Sequence, residues 1–540
     1  MTRLWLRCNA FLAFVLSASI AVLAAGILGY TVLIPQFVGS NLRQKMRLIR
    51  ENEALERWAN YSDPVYLSVH LFNITNIEEF RDGGPPRVQE IGPYVYLEKR
   101  TKRVDYMDEN VISYSEYKSY RFLREFSSGD PKEDIVHALN VPLVSVADFI
   151  EKTIPNFPWL EPVFQSVLHA LTYKHDEDIV VRRTVDEMLF SGYDTPFVVE
   201  AVKLAKKALP SLEFDSHDRF GLLLNKNGSI SDQYTVGTGA GDLPFTKIIE
   251  WNGKTELSYW GSDHCNQING TDGSQFPPLM DKGNTLQIFS AELCRSIHLE
   301  HESDTEVKGI ETQRYTVPAA LYSNAEEVES NVCYCESPDK CDLSGIMNIS
   351  KCRKGLPLMM SAPHFYMGEP KLSQDIIGLK PTKEKHETFL EISSMTGLVL
   401  RAAKRLQINI EVKPSLYVPT LENVTARIVP VAWIEERMEA TVSFTGLLKE
   451  KLVRPRNSAI AVCSLAVLIG GLSTVIVIVV SCIRDAKYFK SFDLTAISVD
   501  DDRGAPENTG AGTTRENLEK ATLSLKNGFE TIAVTTRNGT

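Results

Sequence analysis

Two long stretches without a single charged residue, one near each end, constrain this chain more than any other feature. They run from Cys8 to Ile34 and from Asn457 to Ile483, and each exceeds the roughly 20 residues that carry a helix across a bilayer. A cleaved signal peptide is the alternative for the first, since Arg3 and Arg7 give it a basic start, but its apolar run exceeds the usual ~7–15 residues of such peptides. Transmembrane helices are therefore expected over 8–34 and 457–483. Residues 1–7 and 484–540 then share one side of the membrane, and 35–456 lie on the other.

Basic residues flank both spans on both faces, so the charge rule orients the chain only partly. Glycosylation sequons decide better. The central segment holds six, at Asn60, Asn73, Asn227, Asn269, Asn348 and Asn423, and such sites are glycosylated in the secretory pathway. This makes 35–456 an exoplasmic ectodomain, with both termini cytosolic and the plasma membrane as the expected location.

The compartment explains the cysteines. Of nine in the chain, Cys265, Cys294, Cys333, Cys335, Cys341 and Cys352 lie in the ectodomain, an even number in an oxidising environment, as expected of three disulfides. Zinc does not fit, because no C-x2-C spacing or paired histidine accompanies them. The pairing itself stays open, except that the near neighbours Cys333 and Cys335 are unsuited to bonding each other. Cys8 and Cys482 stand at cytosolic membrane borders, where S-palmitoylation competes with a plain role as small packing thiols.

Within the ectodomain, VYLSVHLFNIT (65–75) alternates apolar and polar residues as a strand does, and VISYSEYKSYRF (111–122) follows a turn at Asp108–Asn110. FGLLLNKNGSISDQYTV (220–236) reads as a hairpin reversing at Asn227-Gly228. GLVLRAAKRLQINIEV (397–412) adds another strand-rich block. The expected core is a large antiparallel sheet or barrel. Over about 131–208 the period becomes helical: Leu160, Val163, Phe164, Val167, Leu168 and Leu171 recur at i, i+3, i+4 spacing. Such a face either caps the core or is an exposed patch that meets lipid or a protein.

Other signals are negative. The net charge of -11 argues against nucleic acid as a partner. VGTGAG (Gly237, Gly239 and Gly241) lacks phosphate-loop spacing and runs into Asp242-Leu243-Pro244 rather than a helix. Asp215, Ser216, His217 and Asp218 are sequential neighbours that cannot converge as a triad. No catalytic constellation, cofactor motif or metal site is expected, and the chain reads as a non-enzyme.

A series of longer motifs resembles the class B scavenger receptors, the family of the fatty-acid translocase, the high-density-lipoprotein receptor, lysosomal integral membrane protein, croquemort and the sensory neuron membrane proteins. These are GPPRVQEIGPYVY (84–96), TVDEMLFSGYDTPF (184–197), the cysteine-spaced centre, SAPHFY (361–366) and HETFLEISSMTGLVLRAAKRLQINIEV (386–412). The resemblance implies an α+β membrane protein: two transmembrane helices flanking a large ectodomain with an antiparallel β-barrel core, a lipid tunnel and an apical helical bundle. It implies the pairings Cys265 with Cys333, Cys294 with Cys352 and Cys335 with Cys341. It also implies a receptor for fatty acids, sterol esters, phospholipids, and lipoprotein or apoptotic particles, acting by lipid transfer or by endocytic and phagocytic uptake, with homo-oligomers compatible.

At the apex, Phe157, Trp159, Leu160, Phe164, Lys174 and His175 are the expected ligand contacts. Where family members are basic, this chain reads YKHDED (173–178), leaving Lys174 beside three acids; the expectation is weaker binding of polyanions, with His175 adding pH sensitivity. A lysosomal sorting receptor for a protein partner is the alternative, though the tail from 484 lacks an acidic dileucine signal and reads as disordered. A degenerin-like channel shares the two spans, and Gly471-Leu472-Ser473 mimics its filter, but neither span carries an ionisable residue.

Overall fold

The computed structural model describes residues 2–61, 63–210, 218–281, 283–336 and 343–499, with the side chains of 2–8 and 488–499 excepted. Cys341, the triad-like Asp215–His217 and the tail from 500 onward lie outside the described residues, as does the Cys8 side chain. The chain divides into two units, 1–30 with 462–540, and 31–461.

The first unit contains a helix over Thr2–Leu28 and most of a second over Arg454–Val499. The apolar helical stretches of the chain are long enough to cross a membrane. Their closest approach inside this unit uses glycine. A Cβ on Gly470 would meet the Leu23 backbone at 2.6 Å, and one on Gly26 would meet Val467 at 2.9 Å, the small-residue contact that lets helices pack in lipid. The second helix corrects one expectation: it continues through Asp485 to Val499, so the tail's first residues are helical. No glycine or proline interrupts that stretch; the first, Gly504 and Pro506, come later.

The second unit is organised by one 13-stranded antiparallel sheet among the described residues. Its main strands are β1 (Val65–Ile74), β2 (Val88–Met107), β3 (Val111–Phe122), β4 (Ser229–Gly237), β5 (Ile248–Trp251), β6 (Leu286–Ser290), β7 (Arg295–Val307), β8 (Ile310–Thr316), β9 (Phe389–Ile392), β10 (Val399–Val412) and β11 (Arg427–Glu439). They pair in the order β6-β7-β8-β9-β10-β11-β1-β2-β3-β4-β5. A short segment nearly closes the ring. Gly270 accepts a hydrogen bond from Ile248 of β5 at 2.9 Å, while Thr271 donates to Gln287 and accepts from Phe289 of β6 at 3.2 and 2.9 Å. Gly270 has φ +91°, and a Cβ there would collide with the Gln287 backbone, so only glycine fits this stitch.

The proposed hairpin at 220–236 does not form. Leu222 and Leu223 instead donate to the carbonyls of Met188 and Leu189, satisfying a helix end. β4 pairs with β3 and β5. The apolar run was packing material for a helix terminus and not a strand.

Three helices cover part of the sheet: α1 (Val141–Thr153), α2 (Glu161–His175) and α3 (Pro196–Ala208). Asn140 caps α1 by accepting from Leu143 N at 3.2 Å. Leu143, Val146, Phe164, Leu168, Phe197 and Val202 form one apolar cluster with Phe72, Val431 and Trp433 of the sheet. The cap is a filled core, held by burial of large side chains.

Candidate functional site

The sheet's alternation has an unusual sign on its inner face. Arg100 and Lys102 of β2, Glu116 and Lys118 of β3, Lys404 of β10 and Glu436 of β11 all line an interior cavity of about 870 Å³. Residues two apart on a strand share a face, so these charges stand beside Tyr114 and Tyr120, Ala402 and Leu406, and Ile434 and Met438, which line the same cavity. One part of the wall is therefore ionic and another aliphatic.

The ions form a connected set. Arg100 contacts Glu98 at 2.5 Å and Glu436 at 2.9 Å; Lys118 contacts Glu116 at 3.2 Å and Glu98 at 3.7 Å. Lys404 contacts Glu292 at 3.0 Å and Glu436 at 3.9 Å. Burial opposes ionisation of Glu436, but Arg100, Lys404 and Lys118 outweigh it and hold its carboxyl well below the usual range. Lys404 holds Glu292 down at about 2 against its burial. Glu436 and Glu292 are therefore charged at any physiological pH. Lys404 and Glu292 remain 39% and 42% accessible, which makes them the pair most available to a guest. Lys102 is closed off by Asp272 at 2.5 Å, an acceptor shared with the Tyr114 hydroxyl at 2.7 Å.

At another rim of the cavity the lining is apolar. Leu42 and Met46 come from the helix Ile34–Met46, and Leu448 and Leu452 from the helical segment 442–453. These are the segments that lead into the two long apolar helices.

The cap distributes its predicted residues differently. Trp159 is 70% exposed, whereas Leu160 and Phe164 are 5% and 6% exposed. Leu160 and Phe164 therefore hold the cap together and present no surface to an arriving ligand, which corrects their expected contact role; Phe157 packs half-buried against the same cluster. Lys174 donates to both Glu200 oxygens at 2.7 Å, and His175 lies 3.4 Å from the same carboxylate. Two of the three acids of YKHDED are likewise engaged: Glu177 accepts from Asn140 at 2.8 Å, and Asp178 binds Arg81. Val163 and Tyr173, 55% and 76% exposed, complete an apolar outer face with Trp159.

Disulfides join Cys265 to Cys333 and Cys294 to Cys352, and Cys335 is also disulfide-bonded. Cys482 is a free, exposed thiol. Asn60, Asn227 and Asn423 are exposed, and Asn73, Asn269 and Asn348 half-buried. Among the described residues no cluster suited to a metal ion is present.

A second concentration of ionisable groups went unread in the sequence. Glu90 accepts from His70 Nδ1 at 2.8 Å and His364 Nε2 at 2.5 Å. His364 Nδ1 accepts from Lys380 N at 3.0 Å, and His386 Nδ1 from Thr382 N at 2.9 Å; the two rings stack at 4.4 Å. Both backbone donors require an unprotonated Nδ1. Three histidines and a glutamate lying 20 to 316 residues apart give no local pattern; VQEIGPY, SAPHFY and HETFLE marked Glu90, His364 and His386 only as parts of the motif series.

A nearly closed antiparallel barrel with a cavity, in a chain carrying two terminal helices long and apolar enough to cross a membrane, defines a two-span membrane protein with a hollow β-rich domain. A sequence model of the CD36 family matches residues 16–482. Lysosome membrane protein 2 of Homo sapiens is 35% identical over 450 residues, covering 83% of this chain and 89% of that protein. Scavenger receptor class B member 1 of Bos taurus is 33% identical over 408 residues, covering 75% and 76%. The chain belongs to the CD36 family.

Proposed function

We propose that this protein is a class B scavenger receptor of the plasma membrane that gathers lipid at its helical cap and lets it pass through the barrel cavity to the bilayer. The observation that carries this reading is the cavity of about 870 Å³ whose apolar rim is built from the segments entering the long apolar helices. A volume near the top of the ~300–1,000 Å³ range of ligand sites suits a chain-like guest. Desolvation drives the transfer: each buried methylene contributes about 0.8 kcal/mol, and no covalent bond changes. In this reading residues 35–456 are exoplasmic with glycans on the six sequons, both termini are cytosolic, and Cys482 with Cys8 is available for acylation. Fatty acids, sterol esters, phospholipids and the particles that carry them are the partners. Because Lys174 is occupied by Glu200, polyanions bind weakly and Lys174→Ala changes uptake little.

The test is uptake of fluorescent fatty acid, sterol-ester particles and anionic vesicles by cells expressing the full chain. Ala402→Phe, which places bulk on the cavity wall, lowers uptake several-fold at unchanged surface level. Undiminished uptake would overturn the conduit. A second reading, residence in the lysosomal membrane as a sorting receptor, draws on the 35% identity to lysosome membrane protein 2. Surface biotinylation against co-localisation with acidic compartments separates the two.

A further inference from the structure

We infer that the N-glycan carried by Asn227 is seated on the outer wall of the barrel, its first N-acetylglucosamine lying against the exposed ring of Tyr117 with Ile230 beside it. The inference rests on the exoplasmic placement of residues 35–456 proposed above, and it concerns a patch of wall outside the lipid path. Tyr117 of β3 and Ile230 of β4 are direct cross-strand partners, so their side chains share a face. Glu116 and Lys118 line the cavity, which puts Tyr117 on the opposite, outer face. There the phenol is 40% and Ile230 54% exposed, an apolar pair left against water.

The local geometry brings the sugar to that pair. Asn227 is exposed and stands just before β4. Its Oδ1 accepts from Tyr120 N at 2.8 Å, taking the place that a backbone carbonyl would hold in the ladder, while Gly228 N donates to Lys118 O at 2.9 Å. These bonds fix the carboxamide against the β3 edge. They leave Nδ2, the atom that carries a glycan, as the free end of the side chain. Gly228 has φ +72°, and a Cβ there would meet the Tyr117 hydroxyl at 3.7 Å and nothing else within 4 Å. The phenol therefore reaches toward the sequon across open space.

A pyranose ring suits that space. One of its faces is a set of C–H bonds whose partial positive charge matches the negative face of an aromatic ring, while its hydroxyls stay in water. A protein partner covering the same pair would have to displace an oligosaccharide rooted beside it. Asn60 is the rival root: it bridges Thr101, which pairs with Tyr117 on the side away from β4. The direction of the phenol, toward Gly228, favours Asn227.

The test treats the full-length chain, purified in non-ionic detergent from cells that glycosylate it, with tetranitromethane. Nitration of Tyr117 is read by peptide mass spectrometry against Tyr173 of the cap, which is 76% exposed. Ser229→Ala empties the sequon while keeping Asn227 and its bond to Tyr120; Ser229→Thr keeps it filled. Nitration of Tyr117 relative to Tyr173 is expected to rise about threefold in Ser229→Ala and to stay at the parent level in Ser229→Thr. Trimming the parent's glycans to a single N-acetylglucosamine, or emptying the Asn60 sequon with Ser62→Ala, leaves the protection in place. Thermal unfolding reports the fold of each variant, and if Ser229→Ala does not fold, the parent stripped of glycans by an amidase supplies the same comparison. Equal nitration with and without the glycan overturns the seat, as does protection lost on trimming or in Ser62→Ala. A parent with Asn227 bare and other sequons filled overturns the seat alone; one with all six bare overturns the exoplasmic placement with it.

Discussion

The cap and the barrel bury side chains to opposite ends. In the cap, apolar residues of α1, α2 and α3 fill the interior, and several charges at its margin are tied to partners: Lys174 to Glu200, Asp178 to Arg81, Glu177 to Asn140. In the barrel, part of the interior is open and carries the charges, while apolar clusters pack around it. A filled core answers to volume and a hollow one to chemistry. Substitutions in the cap should therefore register first as stability, and those on the cavity wall first as ligand preference.

The largest expected break in this contrast is Phe164→Ala. The ring is 6% exposed within the cluster that joins α2 to the sheet. Its removal leaves a void worth about 3–5 kcal/mol. Denaturation of the full chain in detergent should show that loss, together with poor surface expression. A stability change near zero would mean the cap is not a filled core, and Phe164 would return to the ligand-facing role that its sequence position suggested.

That contrast also explains what the sequence disclosed. The strand at 65–74 and the helices of the cap follow the ordinary rule that the apolar face points inward, and the alternation at 111–122 and 399–412 marks strands whichever face carries the charge, so their periods could be read directly. The fold class followed from them and from the motif series. On the cavity wall the same period persists with inverted meaning: in EKRTKR (98–103), Glu98, Arg100 and Lys102 point inward. A reader who assigns charge to solvent places that strand correctly and turns its chemistry outside in. At the cap, pattern alone could not separate Trp159 from Phe164, because only packing against α1 and α3 decides which aromatic is covered. The partners of Lys174 and Asp178 lay 26 and 97 residues away, beyond any local pattern.

An intermediate effect is expected where the cap core meets the sheet. Trp433, in the same apolar cluster as the cap, stacks on His70 at 3.9 Å and meets His386 edge-on at 5.8 Å. Burial first, then the neighbouring His364, pushes the His386 imidazole down to about 4; Glu90 opposes this, and Arg405 and Lys385 add to it. The folded pKa lies below the ordinary value of about 6.5, so the fold favours the neutral ring. Its contribution is fully present above pH ~6.5 and is lost as pH falls toward about 4. The loss is on the order of 2 kcal/mol, discounted for the relaxation a surface-connected loop allows. Thermal unfolding of the full chain between pH 7 and 4.5 should show this decline. His386→Asn keeps an acceptor for the Thr382 amide and should flatten the slope; an unchanged slope would assign the acid sensitivity elsewhere.

Trp159 sets the smallest effect on stability and the sharpest test of what the cap is for. The indole follows Pro158, whose ring restricts the backbone, and stands 70% exposed, with Val163 on the helix that follows also uncovered. Large aromatics left in water are a cost to solubility unless something covers them, and the covering surface proposed here is lipid. Trp159→Ala removes a side chain that packs little, so unfolding should shift by no more than about 0.5 kcal/mol. Uptake of sterol-ester particles should fall roughly three- to tenfold, as expected of losing part of an aromatic's burial area on contact with a particle. Uptake of monomeric fatty acid, which reaches the cavity without particle docking, should fall less. Equal loss for both cargoes would place Trp159 on the path into the cavity instead of on a docking face, and would join the two regions into one continuous site.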